Sequence, residues 1–391
     1  MKVHGFLKDI GGAGRVTRRR RAAIQNAGSQ IVTRDPIHET ALSLHPRTIA
    51  LRVAGIRETS PTARTFRLAP EGPPLPVFQA GQYLSMDFQI GKTITTRPYS
   101  ISSAPFEARG ANPFVEITVR KKGSTFVPDY LFDHIKAGDV LTGSMPHGQF
   151  FYEPLRDSEN VVALAGGSGI TPFYSMAREI AYGKLDFRLT ILYGSANADD
   201  IIFRNELNAL ECPKIHTVHV LSEDPDWKGE KGFLTAELIK KYSEGDTTYL
   251  VCGPQAMYRF VEKELKALQI PRRRIRREVF GTPKEIAKYP GFPDAAIGKT
   301  FQLTVRRGIH EDTIPASSGE PVAISLERAG IPIGTHCRSG ECGFCRSQLL
   351  SGNLFVCPDG DGRRKMDRER GWFHPCASYP VSDLTIKIPI L

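Results

Sequence analysis

Hydrophobic and polar residues alternate over short stretches between residues 47 and 155. Four of these stretches are TIALRVAGI, TARTFRLA, QYLSMDFQI and FVEITVRKK, and turn-forming segments such as APEGPPLP, FEARGANP and KAGD separate them. A period of two places successive side chains on opposite faces of a strand. Several short strands at this spacing predict an antiparallel β-barrel.

The pattern changes between residues 156 and 281, where short apolar runs alternate with segments of helical periodicity. NVVALAG, FRLTILYGS, KIHTVHVLS and TTYLVCG are predicted to be buried strands with helices between them, and the last helix is QAMYRFVEKELKALQI. Strands that alternate with helices form parallel sheets with both faces covered. We therefore predict an α/β domain here, then a proline-containing linker over 282–297 and a compact α+β domain over 298–391.

Residues 1–46 are predicted to be an extension, rich in glycine and then in arginine, with one helix near Val16–Ala27. The chain has a net charge of +10, and basic runs in residues 1–21 and 272–277 account for this excess. Such runs attract nucleic acid or anionic membranes in some proteins. No interleaved aromatic residues support base stacking, so we expect a solvated arm and no nucleic-acid partner.

The sequence contains no run of about 18 apolar residues, which is the length that spans a bilayer. Its first residues, MKVHGFLKDIGGAG, lack the apolar core of a secretory signal. Seven cysteines, four of them in one motif, do not suggest a secreted disulfide framework. We expect a protein of two or three domains in a reducing cytoplasm, without a membrane span.

Four cysteines carry the strongest chemical signal in the chain. Cys337, Cys342 and Cys345 have the spacing Cys-x4-Cys-x2-Cys, and Cys376 follows in HPCASYP. Four thiolates at this spacing hold a plant-type [2Fe–2S] cluster, which carries one electron at a time. The alternative is a zinc-stabilised protein whose basic arm docks on nucleic acid or membrane. Zinc sites usually contain paired Cys-x2-Cys units, and this motif has one such pair.

Three further motifs are compatible with a flavin and a dinucleotide. Arg97-Pro98-Tyr99-Ser100 supplies a guanidinium for a phosphate, an aromatic face for an isoalloxazine ring and a hydroxyl for a ring nitrogen. GGSGITP, from Gly166 to Pro172, lies between a predicted strand and a helix, where backbone amides bind pyrophosphate. Cys252-Gly253-Pro254 follows the fourth predicted strand, at the edge of the sheet where ligands bind.

In combination, RPYS, GGSGITP, CGPQAMY and Glu278-Val-Phe280 resemble the motifs of the ferredoxin–NADP reductase superfamily. With the cysteine motif included, residues 47–391 are similar to the reductase components of Rieske-type oxygenases and to related one-chain reductases. The resemblance implies an antiparallel flavin-binding β-barrel over 47–155, a parallel-sheet NAD(P)-binding domain over 156–281 and a β-grasp-like [2Fe–2S] ferredoxin domain over 298–391.

The resemblance also implies roles for individual residues. Arg97 would bind the flavin phosphate, Tyr99 would stack on the ring and Ser100 would approach the flavin N5. The implied catalytic residues are Ser100, Cys252 and Glu278. The implied cofactor-binding residues are Arg97, Pro98, Tyr99, Ser100, Gly123, Ser124, Gly166, Gly167, Gly169, Thr171, Pro172, Cys252, Gly253, Pro254 and Phe280. The implied cluster ligands are Cys337, Cys342, Cys345 and Cys376.

The cofactors within this family differ in detail. The segment ITVRKKGSTFVPDYLFDHIKAGD resembles FAD-binding members, so FAD is favoured and FMN is the alternative. Pro128 stands where similar proteins often have serine, which removes a hydroxyl and an amide from the pyrophosphate loop. Asp199 and Asp200 follow the second strand of the nucleotide domain, with no basic residue until Arg204. An acidic loop repels a 2′-phosphate, so NADH is favoured over NADPH.

The expected route of electrons follows from these carriers. NADH would deliver a hydride to the flavin, which would pass the electrons singly to the cluster and then to an acceptor protein. We expect the acceptor to be a Rieske-type oxygenase. The alternative is a hybrid-cluster enzyme or another redox partner that is not an oxygenase.

Overall fold

The computed structural model describes residues 6–28, 35–44, 46–121, 123, 125–283 and 285–389. The chain separates into two compact units, residues 1–43 and residues 44–391. Among the residues that the structure describes, no helix is both long enough and apolar enough to cross a membrane.

The N-terminal unit is helical. Helix α1 spans Phe6–Gln25, and helix α2 spans Pro36–Leu44 and ends at the start of the second unit. The helix predicted near Val16–Ala27 begins earlier, because the glycines of GGAG are helical too. Glycine disfavours a helix by only about 1 kcal/mol per residue relative to alanine. The sequence analysis missed α2, although Asp35 caps it by accepting two amide hydrogen bonds at 3.1 and 3.0 Å.

The second unit begins with six antiparallel strands and one helix. They are β1 (Ile49–Ser60), β2 (Ala63–Pro70), β3 (Tyr83–Ile90), β4 (Thr93–Ser100), β5 (Val115–Arg120), α3 (Phe126–His134) and β6 (Val140–His147). The strand order is β4-β3-β6-β1-β2-β5. An isolated bridge between Ile101 and Ile117 joins the two edges, so the sheet closes as the predicted barrel.

A six-stranded parallel sheet with covering helices follows. Its elements are β7 (Asn160–Gly166), α4 (Thr171–Ala181), β8 (Arg188–Ser195), α5 (Arg204–Ala209), β9 (Ile215–Leu221), β10 (Glu230–Lys231), α6 (Ala236–Lys241), β11 (Thr247–Cys252), α7 (Gln255–Ala267) and β12 (Ile275–Glu278). The strand order is β10-β9-β8-β7-β11-β12. Alternate residues of β7 enter two different apolar cores, with Ala163 in one and Leu164 in the other. The strand order reverses between β7 and β11, and such a point opens a crevice for ligands.

The C-terminal part contains a mixed sheet. Its elements are β13 (Thr300–Arg307), β14 (His310–Ser317), α8 (Val322–Arg328), β15 (Ser347–Ser351), β16 (Leu354–Val356), α9 (Lys365–Glu369), β17 (Trp372–Phe373), β18 (Ser378–Pro380) and β19 (Leu384–Lys387). The main sheet has the order β14-β13-β19-β15-β17, and β13 pairs with β19 in parallel. The predicted fold class, a barrel followed by a parallel-sheet domain and an α+β domain, is confirmed.

The segment predicted as a linker is packed against the C-terminal domain. It contains 3-10 turns at Ile286–Lys288 and Asp294–Ala296. Ile286 and Phe292 are buried in a small core shared with Cys357 and Tyr379. This packing holds the chain in place between β12 and β13.

Candidate functional site

A cleft of ≈ 630 Å³ lies where the three domains of the second unit meet. The barrel contributes Tyr83, the parallel-sheet domain contributes Glu278 and Phe280, and the C-terminal domain contributes Cys337 and Cys342. A cavity of this size is typical of cofactor sites. Two residues implied for flavin contact, Glu278 and Phe280, therefore border one cavity with two of the implied cluster ligands, Cys337 and Cys342.

The RPYS motif forms the second half of β4. Arg97 Nη1 donates to the carbonyl oxygen of Thr96 at 2.7 Å and also to Thr95 Oγ1. Burial lowers the pKa of Arg97 to about 10, so this buried group is still a cation at neutral pH and suits a phosphate. Pro98 lies within the β3–β4 ladder. Burial raises the pKa of Tyr99, whose ring packs against the barrel core.

The three residues implied as catalytic lie together. Cys252 and Glu278 are opposite each other on the paired strands β11 and β12, and the Ser100 hydroxyl hydrogen-bonds to the Glu278 carboxyl. Burial raises the pKa of Glu278 well above its usual range, so the protonated form is favoured. Among the described residues, Glu278 Oε2 is buried without a hydrogen-bond partner. A buried acid with an unpaired oxygen is suited to contact a bound cofactor.

Glycines allow the two nucleotide loops to pack closely. A Cβ on Gly169 would lie 2.1 Å from the carbonyl oxygen of Cys252, and a Cβ on Gly166 would lie 2.4 Å from Met257 Sδ. Gly253 donates its N–H to the Tyr258 hydroxyl at 3.0 Å. The sequence analysis explained these glycines by approach to a pyrophosphate. Their contacts show a second requirement, which is backbone packing between the GGSGITP and CGP loops.

The end of the GGSGITP loop begins helix α4. Pro172 lies in the first turn, as predicted, and Pro254 immediately precedes helix α7. Thr171 Oγ1 donates to the carbonyl oxygen of Ser168 at 3.0 Å, so its hydroxyl supports the loop. The Thr171 amide donates to the carbonyl oxygen of Ser168 and Pro172 has no amide, so the first two residues of α4 offer no free N–H to an anion.

Arg120 is a residue of this site that the sequence analysis did not identify. It ends β5 of the barrel and forms an ion pair with Asp200 of the parallel-sheet domain. Its Nε donates to Thr62 Oγ1 at 3.1 Å. A Cβ on Gly167 would lie 2.6 Å from Arg120 Nη1, so the guanidinium reaches the glycine loop. No local motif marks Arg120, because only the packing of two domains brings it there.

The two acids used to predict nucleotide preference differ in their surroundings. Asp199 is exposed. Asp200 is paired with Arg120 and accepts a hydrogen bond from Ser60 at 3.0 Å. The sequence contains no basic residue between this loop and Arg204, and the fold brings Arg120 of the barrel to it. Because Arg120 compensates the charge of Asp200, we expect Asp199 to be the acid of this loop that repels a 2′-phosphate.

The predicted second flavin loop precedes helix α3. Gly123 has a positive φ of 72°, which favours glycine, and Ser124 lies outside the described residues. The Thr125 amide donates to Asp129 Oδ2 at 2.8 Å. Pro128 falls in the first turn of α3, where a missing amide is tolerated.

The four motif cysteines converge. The Sγ atoms of Cys345 and Cys376 lie 3.3 Å apart, and the thiol of Cys337 hydrogen-bonds to those of Cys342 and Cys376. The amides of Cys342 and Ser339 donate to Cys337 Sγ at 3.4 and 3.5 Å. In the part of the chain that the structure describes, no three His, Cys, Asp or Glu side chains are grouped as ligands of a single metal ion. Adjacent thiols with amide donors to sulfur fit a dinuclear [2Fe–2S] cluster.

The shape of the cysteine loop depends on close backbone contacts. Gly340 has a φ of 85°, and a Cβ there would lie 2.1 Å from the carbonyl oxygen of Gly360. The Gly340 carbonyl oxygen lies 2.6 Å from His374 Nδ1. Cys357, outside the motif, is buried in the separate core formed with the 285–297 segment. The loop is therefore held by Gly360 and His374, which both precede Cys376 in the sequence.

A buried ion pair holds the cysteine loop against α8, and its arginine also contacts the barrel. Arg338 Nη2 donates to Glu327 Oε2 at 3.0 Å, and its Nη1 donates to the carbonyl oxygen of Thr96 at 3.3 Å. The Thr96 hydroxyl donates to the carbonyl oxygen of Thr335 at 2.7 Å. The strand that carries Arg97 and the loop that carries the cysteines are thus linked by one polar network.

Aromatic residues complete the junction, and the sequence analysis missed most of them. Tyr83 meets Phe280 edge to face, with ring centroids 5.2 Å apart. The rings of His147 and His336 are 4.0 Å apart, with their Nδ1 atoms at 3.2 Å. Phe280 lines the cleft, as its implied role requires. In the sequence, the feature that could have marked His336 as part of the junction was its position directly before Cys337.

Three family models match successive parts of the chain. An oxidoreductase FAD-binding domain matches residues 50–152, an oxidoreductase NAD-binding domain matches residues 163–263, and a 2Fe-2S iron-sulfur cluster binding domain matches residues 308–381. NADH-cytochrome b5 reductase 1 of Candida glabrata is 32% identical over 216 residues, which are 53% of this chain and 74% of that protein.

The chain belongs to the ferredoxin–NADP reductase superfamily. The glycine betaine monooxygenase reductase subunit of Chromohalobacter salexigens is 26% identical over 344 residues, 83% of this chain and 91% of that protein. The fold matches that of phthalate dioxygenase reductase with a TM-score of 0.63 and 23% identity, over 88% of this chain and 98% of the other. This member of the superfamily is an oxidoreductase with FAD-binding, NAD-binding and [2Fe–2S] domains, as predicted.

Proposed function

We propose that this protein transfers electrons from NADH, through FAD and a [2Fe–2S] cluster, to the oxygenase component of a Rieske-type system. One cleft carries the proposal: it is lined by Glu278 and Phe280, which are implied to contact the flavin, and by Cys337 and Cys342 of the cysteine loop, so the flavin and cluster sites are adjacent. The monooxygenase reductase relative supports an oxygenase acceptor over a hybrid-cluster or other non-oxygenase partner.

The chain's own residues would bind and orient the carriers. When bound, FAD accepts a hydride from NADH and the cluster accepts the electrons one at a time. Arg97 would neutralise the flavin phosphate and Tyr99 would pack on the ring. Ser100 would donate its hydroxyl to the ring, while protonated Glu278 would hold a proton beside it. Phe280 would exclude water from the cleft.

The four motif cysteines would hold the cluster, and Cys357 would not. Among the motif thiols, Cys337, Cys345 and Cys376 are buried, which shields the metal site from solvent. Arg338 adds a buried positive charge next to the loop, and a cation stabilises nearby thiolates. We expect the Cys345→Ser protein to lose the cluster and the Cys357→Ser protein to keep it.

The same proposal includes a preference for NADH and a cytoplasmic location. It also includes the domain limits 1–46, 47–155, 156–281, 282–297 and 298–391. The exposed carboxylate of Asp199 supports NADH over NADPH. Four of the seven cysteines belong to the cluster motif rather than to a disulfide framework, which supports a reducing compartment.

An anaerobic titration with NADH tests the proposed function. The purified protein should contain one flavin, two irons and two acid-labile sulfides per chain. NADH should bleach the flavin absorption and produce the electron paramagnetic resonance signal of a reduced [2Fe–2S] cluster. A colourless protein with stoichiometric zinc would contradict the proposal. With Cys345→Ser, flavin bleaching should persist while reduction of one-electron protein acceptors is lost, and Cys357→Ser is the matched control.

A further inference from the structure

The surface beside the cysteine loop carries exposed charged and apolar residues that no cofactor motif explains. We name it the exit face, and it consists of Phe344, Arg346 and residues 363–370. Gly362 donates its amide to the Gly340 carbonyl oxygen at 3.2 Å, so the chain leading into 363–370 is attached to the cysteine loop. Arg346 Nη2 also pairs with Asp367 at 2.5 Å. The exit face is therefore continuous with the cluster-binding loop.

The charges of the exit face are sorted by sign. The side chains of Lys365, Arg368 and Arg346 are 92%, 56% and 45% exposed. The neighbouring acids Asp361 and Asp367 are 16% and 13% exposed, because they are turned toward arginines of the same segment. Solvent therefore meets mainly positive charge, with Glu369, which is 53% exposed beside Lys365, as an exception.

Two apolar side chains accompany the cations. Phe344 is 53% exposed and Met366 is 56% exposed. Phe344 lies between Gly343 and Cys345, and its ring packs against His336 at 3.7 Å. An exposed apolar group surrounded by charge is the usual composition of a transient protein interface. Phe344 does not line the cleft, so the flavin and nucleotide sites do not account for it.

We propose that the exit face docks the electron-acceptor protein, and that the acceptor presents an acidic surface around its redox centre. This inference rests on the proposed function and adds the chemistry of the partner. Opposite charges steer such proteins together and raise the association rate. One NADH becomes NAD⁺ and H⁺ and supplies two electrons, so two one-electron acceptors are reduced per NADH oxidised.

The test uses the full-length holoprotein and two haem proteins of opposite charge. Cytochrome b5 is the acidic acceptor and cytochrome c is the basic one. The double variant Arg364→Glu/Lys365→Glu reverses two exposed charges at the start of α9, where acidic residues suit the helix N-terminus. The control is Arg272→Glu/Arg273→Glu, which makes the same charge change at the other exposed basic run.

We expect the wild type to reduce cytochrome b5 faster than cytochrome c at low salt. The exit-face variant should reduce cytochrome b5 roughly tenfold more slowly, and added salt should slow the wild type toward the variant, because exposed charges are screened over about 8–10 Å. Flavin bleaching by NADH and the cluster signal should be unchanged in both variants. Arg272→Glu/Arg273→Glu should reduce cytochrome b5 at the wild-type rate.

Different failures have different signatures. If the wild type reduces both cytochromes at rates that ignore charge and salt, or if both double variants are equally impaired, the docking face is wrong and the proposed function stands. If NADH bleaches the flavin but reduces neither cytochrome in the wild type, both proposals are overturned. If the exit-face variant loses its cluster signal, the neutral variant Arg364→Gln/Lys365→Gln replaces it in the test. With its cluster intact, this variant should reduce cytochrome b5 at a rate between those of the wild type and the charge-reversed protein. Reduction at the wild-type rate would refute the docking face.

Discussion

Two arginine–carboxylate pairs lie where the barrel meets its neighbouring domains: Arg120–Asp200 crosses one junction, and Arg338–Glu327 lies within the C-terminal domain at the other, where Arg338 also contacts the barrel. Arg120 pairs with Asp200 across the junction with the nucleotide domain, and their side chains are 19% and 12% exposed. Arg338 pairs with Glu327 at the junction with the cysteine loop, and their side chains are 10% and 3% exposed. The first pair borders the glycine loop. The second is enclosed by threonines of the barrel and of the cysteine loop.

The comparison indicates that an ion pair beside a ligand site can contribute to binding, whereas a similar pair that no ligand can reach contributes to stability. A guanidinium within reach of the glycine loop can also contact a nucleotide phosphate, so Arg120 should influence binding. The Arg338–Glu327 pair is enclosed by protein and cannot contact a ligand in this way. Removing one of its charges leaves the other buried and uncompensated, so Arg338 should influence folding and cluster retention.

The largest expected effect is that of Arg338→Ala. It leaves the Glu327 carboxylate buried without its partner, which costs about 3–5 kcal/mol of stability. Thermal unfolding and iron content measure the result, and we expect a lower Tm and loss of cluster. The double variant Glu327→Gln/Arg338→Met removes both charges and should be more stable than Arg338→Ala. Wild-type stability of Arg338→Ala would show that the enclosed pair is dispensable.

The second effect concerns Arg120→Ala. Loss of one hydrogen bond to a charged group costs about 1.5 kcal/mol, so KM for NADH should rise roughly tenfold while kcat changes little. Arg57→Ala is the matched control, because Arg57 pairs with Glu206 across the same junction at 2.6 Å. Steady-state kinetics with NADH and a dye acceptor decide it. Equal effects of both variants would mean that Arg120 acts only by holding the domains together.

A smaller effect separates the two neighbouring acids. Asp199→Asn should raise kcat/KM for NADPH several-fold relative to NADH, since removal of an exposed charge close to a phosphate is worth about 1 kcal/mol. Asp200→Asn should change this ratio less, because Arg120 already compensates that carboxylate. The two ratios are measured side by side. A larger shift for Asp200→Asn would place the 2′-phosphate next to the Arg120 pair instead.

The smallest effect concerns Glu278, a buried acid whose Oε2 has no hydrogen-bond partner among the residues that the structure describes. Burial raises the folded-state pKa of Glu278 above its usual value of 4.5. Folding therefore binds a proton, and stability falls as pH rises from about 4.5 through the raised pKa. Glu278→Gln removes this titration, so Tm should decline less between pH 5 and pH 8 than in the wild type. Parallel Tm curves for the two proteins would show that the carboxyl is ionised in the folded state.

Much of the architecture was predictable because it depends on local patterns. Alternation predicted the barrel strands, and apolar runs such as NVVALAG predicted the parallel strands. The helix over Phe6–Gln25 was predicted too short and α2 was missed, because glycine and short polar segments weaken the periodic signal. The segment over 282–297 was expected to be a simple linker, yet Ile286 and Phe292 are buried. Its prolines indicated a lack of regular structure but not its packing.

The sequence by itself predicted the chemistry of each carrier site, since RPYS, GGSGITP and the segment from Cys337 to Cys345 are contiguous and their backbone and side chains act together. Only the tertiary structure decided how these sites meet. Arg120 and Asp200 are 80 residues apart in the numbering, and His147 and His336 are 189 apart, so their contacts depend on domain packing rather than on local preference. The same packing paired Asp361 and Asp367 with arginines and left Lys365 and Arg368 exposed, and composition alone does not reveal that arrangement.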